Sequence, residues 1–427
     1  MLQRENQALA KRGGDVELSA AEERILAGDC GPALRWALET QMHTARFFGA
    51  GKLVPIGNCH MVADYEVMGE AGYDLLSKLA AQGAQVSVPT TTNARCVDFD
   101  AAARLFQDPH MVAREREIMT LLRGIGAMLT DTCINYQTVY QPHLGEHVAW
   151  GDTGTVIYAN SVFGARSNFE AGPAALAAAV TGRVPCYGFH LDEARRGTVL
   201  VKVATELGDI SDWGALGAAV GRIVNDYWAV PVFCGIAPTV SSDELKHLGA
   251  SLASYGSLAM FHMVGVTPEA PSLARAFDGM APRSTIEIGP AAIESVYESY
   301  PCDKDEIDLV VLTGPQLSIF ELRRTAELLE GRRVNGNTQL IITTNKQNHA
   351  IASQLGYVAE IERSGGSVLV GTCFYIMAPG EMRKHFGWSN VLTNSAKFAN
   401  IIGGYRFHPI FRRTDVCIEA AINGRIG

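Results

Sequence analysis

The chain has 427 residues, 47% of them apolar and 19% charged, and carries a formal net charge of −9 at pH 7. Single cores stop growing at ~250–300 residues, so two or three subdomains are expected. The acidic balance gives neither nucleic acid nor an anionic membrane surface an electrostatic attraction, so neither is expected as a partner; an anionic substrate held by local Arg or Lys stays possible.

Residues 1–17 are polar and charged, hold no apolar stretch of signal-peptide length, and read as a loose arm ahead of one large domain over 18–427. Ser19 followed by Ala-Ala-Glu-Glu has the pattern of an N-cap with an acidic first turn, which opens a helix near Ala20. A second helix is predicted over 32–49. Short β-rich runs follow at 52–56, 85–88, 155–158, 198–203, 230–235, 307–312, 339–343 and 367–373, with helical stretches such as 74–82, 211–226 and 316–329 between them. Strands alternating with helices indicate an α/β fold with largely parallel sheets. The uncharged run 248–266 is broken by Gly249, Gly256 and His262 and reads as a buried helix running into a strand, because a membrane span needs ~20 apolar residues. Nine cysteines without a secretory segment point to free thiols in a reducing, cytoplasmic setting.

In α/β folds ligands bind beyond the carboxyl ends of strands, so the residues after each run are the ones to examine. The first such segment is Gly57-Asn58-Cys59-His60. The second is Pro89 followed by Thr90, Thr91, Thr92 and Asn93, whose hydroxyl and amide groups suit a carboxylate or hydroxyl and equally suit a Ser/Thr-type turn. The densest region holds Thr132-Cys133, then Glu146-His147, then Asn160-Ser161, Arg166 and Asn168. Arg166 is a natural bidentate carboxylate clamp. The last region closes a strand with Gly371-Thr372-Cys373 and continues to Asn394-Ser395-Ala396-Lys397. No Walker loop, Rossmann fingerprint, His-Glu-x-x-His, Gly-x-Ser-x-Gly or Cys-x-x-Cys competes with these groups.

Taken together, Leu53-Val54-Pro55-Ile56, His60, Val88-Pro89-Thr90-Thr91, Thr132-Cys133, Gly145-Glu146-His147, Ala159-Asn160-Ser161, Gly164-Ala165-Arg166, Tyr187-Gly188, Phe261-His262, Thr267-Pro268-Glu269 and Asn394-Ser395 with Lys397 resemble, in order, the large domain of the aconitase X family. The resemblance runs from about Leu18 to Tyr405. It implies three α/β/α subdomains and a hydro-lyase acting on a small hydroxy acid, with cis-3-hydroxy-L-proline as the leading substrate and 5-phosphomevalonate as the alternative. It also implies a small swivelling domain that carries a serine general base, here a separate small subunit.

In the superfamily an iron or iron–sulfur centre is held by three cysteines. Two carry over, Cys133 and Cys373. The third belongs to a pattern resembling Gly-Cys-Pro-His-x-Ser, which here reads Thr313-Gly314-Pro315-Gln316-Leu317-Ser318, with Gly314 at the cysteine position and Gln316 at the histidine position. Cys59 and Cys96, each in a loop that follows a strand run, are the candidate substitute ligands, Cys59 the leading one. The cofactor is therefore conditional, and a mononuclear ion on two thiolates plus His60 or Glu146, or no metal at all, is the second expectation. For the dehydration, His60, Glu146, His147 and Ser161 are the expected proton-transfer groups, and Thr90–Asn93, Asn160, Arg166, Asn168 and Lys397 the expected substrate contacts. A paralogue that kept the fold and lost the chemistry is the third expectation.

Overall fold

A computed structural model describes residues 16–302 and 306–426. Of the expected N-terminal arm, residues 1–15 lie outside the described residues. Its end, Val16 and Glu17, is packed onto the fold: Val16 is buried and the Glu17 N–H donates to the Gly51 carbonyl at 2.8 Å.

The first part of the chain contributes β1 (Leu53–Pro55), β2 (Asn58–Met61), β3 (Thr90–Thr92), β4 (Val148–Trp150) and β5 (Arg183–Pro185). Strands β3-β2-β4 form a parallel sheet, and β1 pairs antiparallel with β5. The middle contributes β6 (Val199–Val203), β7 (Pro231–Cys234), β8 (His262–Met263) and β9 (Ser284–Ile288), a parallel sheet in the order β8-β7-β6-β9. The last part contributes β10 (Leu309–Leu317), β11 (Gln339–Thr344), β12 (Ser367–Val370), β13 (Asn390–Thr393) and β14 (His408–Phe411), parallel in the order β12-β11-β10-β13-β14. Three parallel sheets with helices between the strands fulfil the expected α/β architecture.

The helices start where local chemistry dictates. Ser19 forms a capping box with Glu22, as its spacing predicts, and Ser241–Glu244 and Ser318–Glu321 repeat the device. The 248–266 run is, as read, a helix (Ser242–Gly256) leading into β8. That helix lies against Ile210–Val224 at glycine contacts: a Cβ on Gly217 would sit 2.6 Å from the Leu248 carbonyl oxygen, and one on Gly256 2.6 Å from that of Gly221. Among the described residues no helix is long and apolar enough to cross a membrane.

Two expected strands are otherwise. Residues 155–158 belong to the helix Thr153–Tyr158, because Asp152 caps it through the Thr155 N–H at 3.1 Å. Residues 85–88 form no strand; the threonines expected as a loop, Thr90–Thr92, are β3 instead. Their partner β2, also expected as a loop, is the central strand of its sheet, with Cys59 opposite both Thr90 and Ala149. Trp150 is fully buried at the end of β4 and its indole N–H is satisfied by Asn58 Oδ1 at 2.8 Å.

Candidate functional site

The carboxyl ends of the first and last sheets meet. Arg95, just past β3, bridges to Thr372 just past β12, and its N–H donates to the Gly371 carbonyl at 2.9 Å. Asp131, buried and at φ +50, joins the same seam through Arg95 Nε (3.1 Å) and Lys346 Nζ (2.6 Å). The loop that starts at Asp131 delivers Cys133, the loop after β12 delivers Cys373, and the helix Ala396–Ile402 after β13 delivers Lys397.

Gln316, near the end of β10, ties these pieces together. The Cys133 N–H donates to its Oε1 at 3.2 Å, and its own N–H donates to Cys133 Sγ at 3.2 Å. Its Nε2 reaches the carbonyls of Thr372 (3.0 Å), Asp131 (3.3 Å) and Thr344 (3.4 Å). Asn345 Nδ2 donates to Thr132 Oγ1 at 3.1 Å, fixing the same loop from the third sheet.

Asp152, at the end of β4, is the electrostatic centre. Its Oδ2 caps the following helix while its Oδ1 lies 3.7 Å from Lys397 Nζ. Burial alone lowers the Lys397 pKa, but Asp152, Cys133 and Cys373 outweigh it and the net shift is upward, so the ammonium stays charged. Burial pushes the Cys133 thiol up to about 12, with Cys373 and Asp152 adding to the rise and the Gln316 N–H and Lys397 opposing it. Burial likewise raises Cys373, against the Tyr375 backbone, Lys397 and the Thr313 hydroxyl.

His60 completes the group. Its Nδ1 lies 2.8 Å from Thr91 Oγ1, and that hydroxyl donates its hydrogen to the Cys59 carbonyl at 3.3 Å. In the tautomer in which Thr91 accepts from Nδ1–H, Nε2 carries a lone pair. Burial lowers the His60 pKa to about 4 against the pull of Asp152 and of nearby Asn93 and Thr132, so the ring is neutral at physiological pH. His60 Nε2 has no hydrogen-bond partner, and neither have Asn93 Oδ1, Thr372 Oγ1 or the two amide atoms of Asn135, all buried. Unpartnered polar atoms at facing strand ends suit a ligand that satisfies them.

Of the residues singled out from the sequence, the structure gathers Cys133, Cys373, Lys397, His60, Thr91 and Asn93 around this seam. Others serve the fold. Thr90 bonds the Val88 carbonyl (2.9 Å) and Thr92 bonds Asp131 (3.3 Å). Cys59 Sγ donates to the Ala175 carbonyl at 3.3 Å, and burial raises its pKa. Asn160 holds Ser167 and the Ala259 carbonyl, Ser161 accepts from the Phe261 N–H, and Asn168 bonds the Tyr187 carbonyl.

Glu146, His147 and Arg166 fall at the wrong edge for a role here. Glu146 and His147 precede β4 whereas Asp152 follows it, and three strand residues at ~3.3 Å each separate the two ends by ~10 Å. Glu146 is taken by the Tyr140 hydroxyl and the His143 N–H; His147 Nδ1 lies 2.8 Å from His190 Nδ1; Arg166 donates to the His190 carbonyl (2.8 Å) and to Asp192. Asp131, Asn135, Asp152 and Thr313 lie inside the segments that the sequence singles out, but sequence reasoning gives them no role and does not see the bridge made by Gln316. An Asp separated only by Gly151 from an apolar strand, and at the N-cap of the next helix, is the available signal for Asp152.

The donors present do not fit a three-thiolate iron–sulfur centre. The third position, Gly314, has φ +61, and a Cβ there would already lie 3.2 Å from Phe398 Cβ. Cys59 is tied into the helix Pro173–Thr181 and Glu146 lies at the far edge. Among the described residues no three His, Cys, Asp or Glu side chains come together as a metal-holding group.

Models of the first, second and third domains of aconitase X match residues 15–193, 197–298 and 307–423. A phosphomevalonate dehydratase large subunit from Thermococcus kodakarensis is 35% identical over 91% of this chain and 96% of its own. A cis-3-hydroxy-L-proline dehydratase from Pseudomonas aeruginosa is 34% identical over 98% of this chain and 72% of its own. The crystal structure of holo-form aconitase X from Thermococcus kodakaraensis superimposes with a TM-score of 0.86 at 33% identity, over 95% of this chain and 100% of that one. The relatives are named dehydratases, that is hydro-lyases, and the chain belongs to the aconitase X family.

Proposed function

We propose that this chain is the large subunit of a hydro-lyase that removes water from a small hydroxy acid, with cis-3-hydroxy-L-proline as the leading substrate and a pyrroline-2-carboxylate as product. The observation that carries this reading is the convergence of Lys397, Asp152 and the neutral His60 at facing strand ends, beside buried polar atoms that lack partners. Dehydration needs an acceptor for the proton α to the carboxylate and a donor for the departing hydroxyl. His60 Nε2 is an acceptor, and the Lys397 ammonium faces an anionic or leaving oxygen of the substrate. Family kinship suggests an iron cofactor, but the donor set lacks its third thiolate, with Gly314 in that place.

The reading includes a separate small subunit, a swivelling domain that supplies a serine base. The chain spans 96% of the Thermococcus large subunit but only 72% and 70% of the two cis-3-hydroxy-L-proline dehydratases, which leaves in those longer chains a segment this one does not match. Nine free cysteines support a reducing cytoplasmic setting.

The same coverage favours 5-phosphomevalonate as a second reading. Against it, Arg95 and Lys346 are both engaged by Asp131, so they add little free positive charge for a phosphate. The test is turnover of both substrates by the complex of this chain with its small subunit. Turnover of the phosphorylated substrate alone selects the second reading, and turnover of neither selects a paralogue without catalysis.

A further inference from the structure

We propose that the seat between Cys133 and Cys373 assembles no iron–sulfur cluster, and that Gln316 and Lys397 stand in its place, one as the brace and the other as the positive charge. This deepens the hydro-lyase reading and rests on it for the role of Lys397; the statement about the cluster stands independently.

A cluster held by three thiolates does two things for a protein. It cross-links the loops that carry its ligands, and it places positive charge where a hydroxyl leaves. Both are supplied here by side chains. Gln316 is fully buried and touches each element that a cluster would join: the Cys133 backbone and sulfur, the Asp131 and Thr372 carbonyls, and the end of β11 at Thr344. Its own carbonyl is held in turn by Lys246 Nζ at 3.3 Å. The place of the third thiolate is closed off as well, because the Gly314 carbonyl accepts from Ser395 Oγ at 2.5 Å and a Cβ at Gly314 would lie 3.2 Å from Phe398 Cβ.

The positive charge is the Lys397 ammonium. It lies 3.7 Å from Asp152, and its side chain is 15% exposed. Without a cluster to take the leaving oxygen, the step balances on side chains. A base removes the α-proton, the C–H electron pair becomes the C=C bond, and the C–O pair leaves with oxygen. That oxygen takes a proton from Lys397 and departs as water, and Lys397 regains a proton from the protonated base or from solvent.

The test begins with metal content, which does not depend on activity. The chain is purified anaerobically with its small subunit, incubated with ferrous iron and sulfide, desalted, and assayed for iron, sulfide and visible charge-transfer absorption beside a Cys133→Ser/Cys373→Ser control. Equal, substoichiometric iron in both samples and no charge-transfer band are expected. Stoichiometric iron and sulfide that the control lacks would overturn the proposal, whether or not any substrate is turned over. Bracing by Gln316 is read separately as the rate at which iodoacetamide alkylates Cys133 and Cys373, mapped by mass spectrometry. Gln316→Ala is expected to raise both rates about tenfold or more by freeing the two loops; unchanged rates would overturn the bracing role. For Lys397, chelator-treated complex should keep its turnover, while Lys397→Met should lower kcat ~100-fold or more with KM altered much less. Loss of turnover on chelation, restored by iron, would contradict the assignment.

Discussion

His60 and Glu170 are both buried titratable groups, and they give the residue scale its clearest signatures. The neutral His60 has a folded pKa of about 4 against an ordinary 6.5, because burial disfavours the imidazolium. The unfolded chain therefore binds the extra proton between those values, so stability is present above pH 6.5 and lost as pH falls towards 4, by about 3 kcal/mol over the window. His60→Asn should flatten that part of the urea-midpoint profile; an unchanged slope would show that His60 is not held neutral. Glu170 has the opposite sign. Burial raises it from 4.5 to about 7, and its Oε1 has no partner. The folded state holds the extra proton, so stability is present below pH 4.5 and lost as pH rises through 7. Glu170→Gln should stabilise the protein by about 2–3 kcal/mol at pH 8 and by little at pH 5, as read by urea titration at the two pH values.

At the scale of elements, the site depends on a buried ion network between the helix Ser242–Gly256 and the start of the helix Ile319–Leu329. Lys246 pairs with Glu321 and with Asp243 (3.1 Å), and His247 reaches Glu321 at 2.7 Å, all next to the Gln316 carbonyl. Lys246→Met leaves two buried carboxylates without their cation and should cost about 3–5 kcal/mol in chemical denaturation. A cost below about 1 kcal/mol would mean that the network is solvated.

The elements also explain what was legible in the sequence. Long amphipathic helices with Ser–Glu caps and the apolar strands at 199–203, 231–234, 309–317 and 339–344 announce themselves by period and composition. The strands nearest the site do not. Asn58–Met61 and Thr90–Thr92 are short and polar, so they read as loops, and their side chains look available when several are spent on strand ends and backbone. Glu146 and His147 are close in sequence to Asp152, yet β4 separates them from it by its length, and Arg166 bridges to His147 at that far end. Cys133, Cys373, Lys397 and His60 are singled out by motif, whereas the positions of Asp152 and the Gln316 bridge depend on which strand ends meet, and that is tertiary information.

On the scale of the whole molecule, three parallel sheets are joined so that the carboxyl ends of the first and last face one another, with helices of the second unit packed behind Lys397. That arrangement places Cys133, Cys373, Lys397 and His60 at a seam between the first and last sheets. The measurement that tests the account most directly is dehydration of cis-3-hydroxy-L-proline by the complex of this chain with its small subunit, for the native sequence and for Asp152→Asn. The account predicts turnover by the native complex and a fall of ~100-fold or more in the variant, because Asp152 holds Lys397 and acts on both thiols and His60. Turnover by the native complex that Asp152→Asn leaves intact, or no turnover of either cis-3-hydroxy-L-proline or 5-phosphomevalonate, would contradict it.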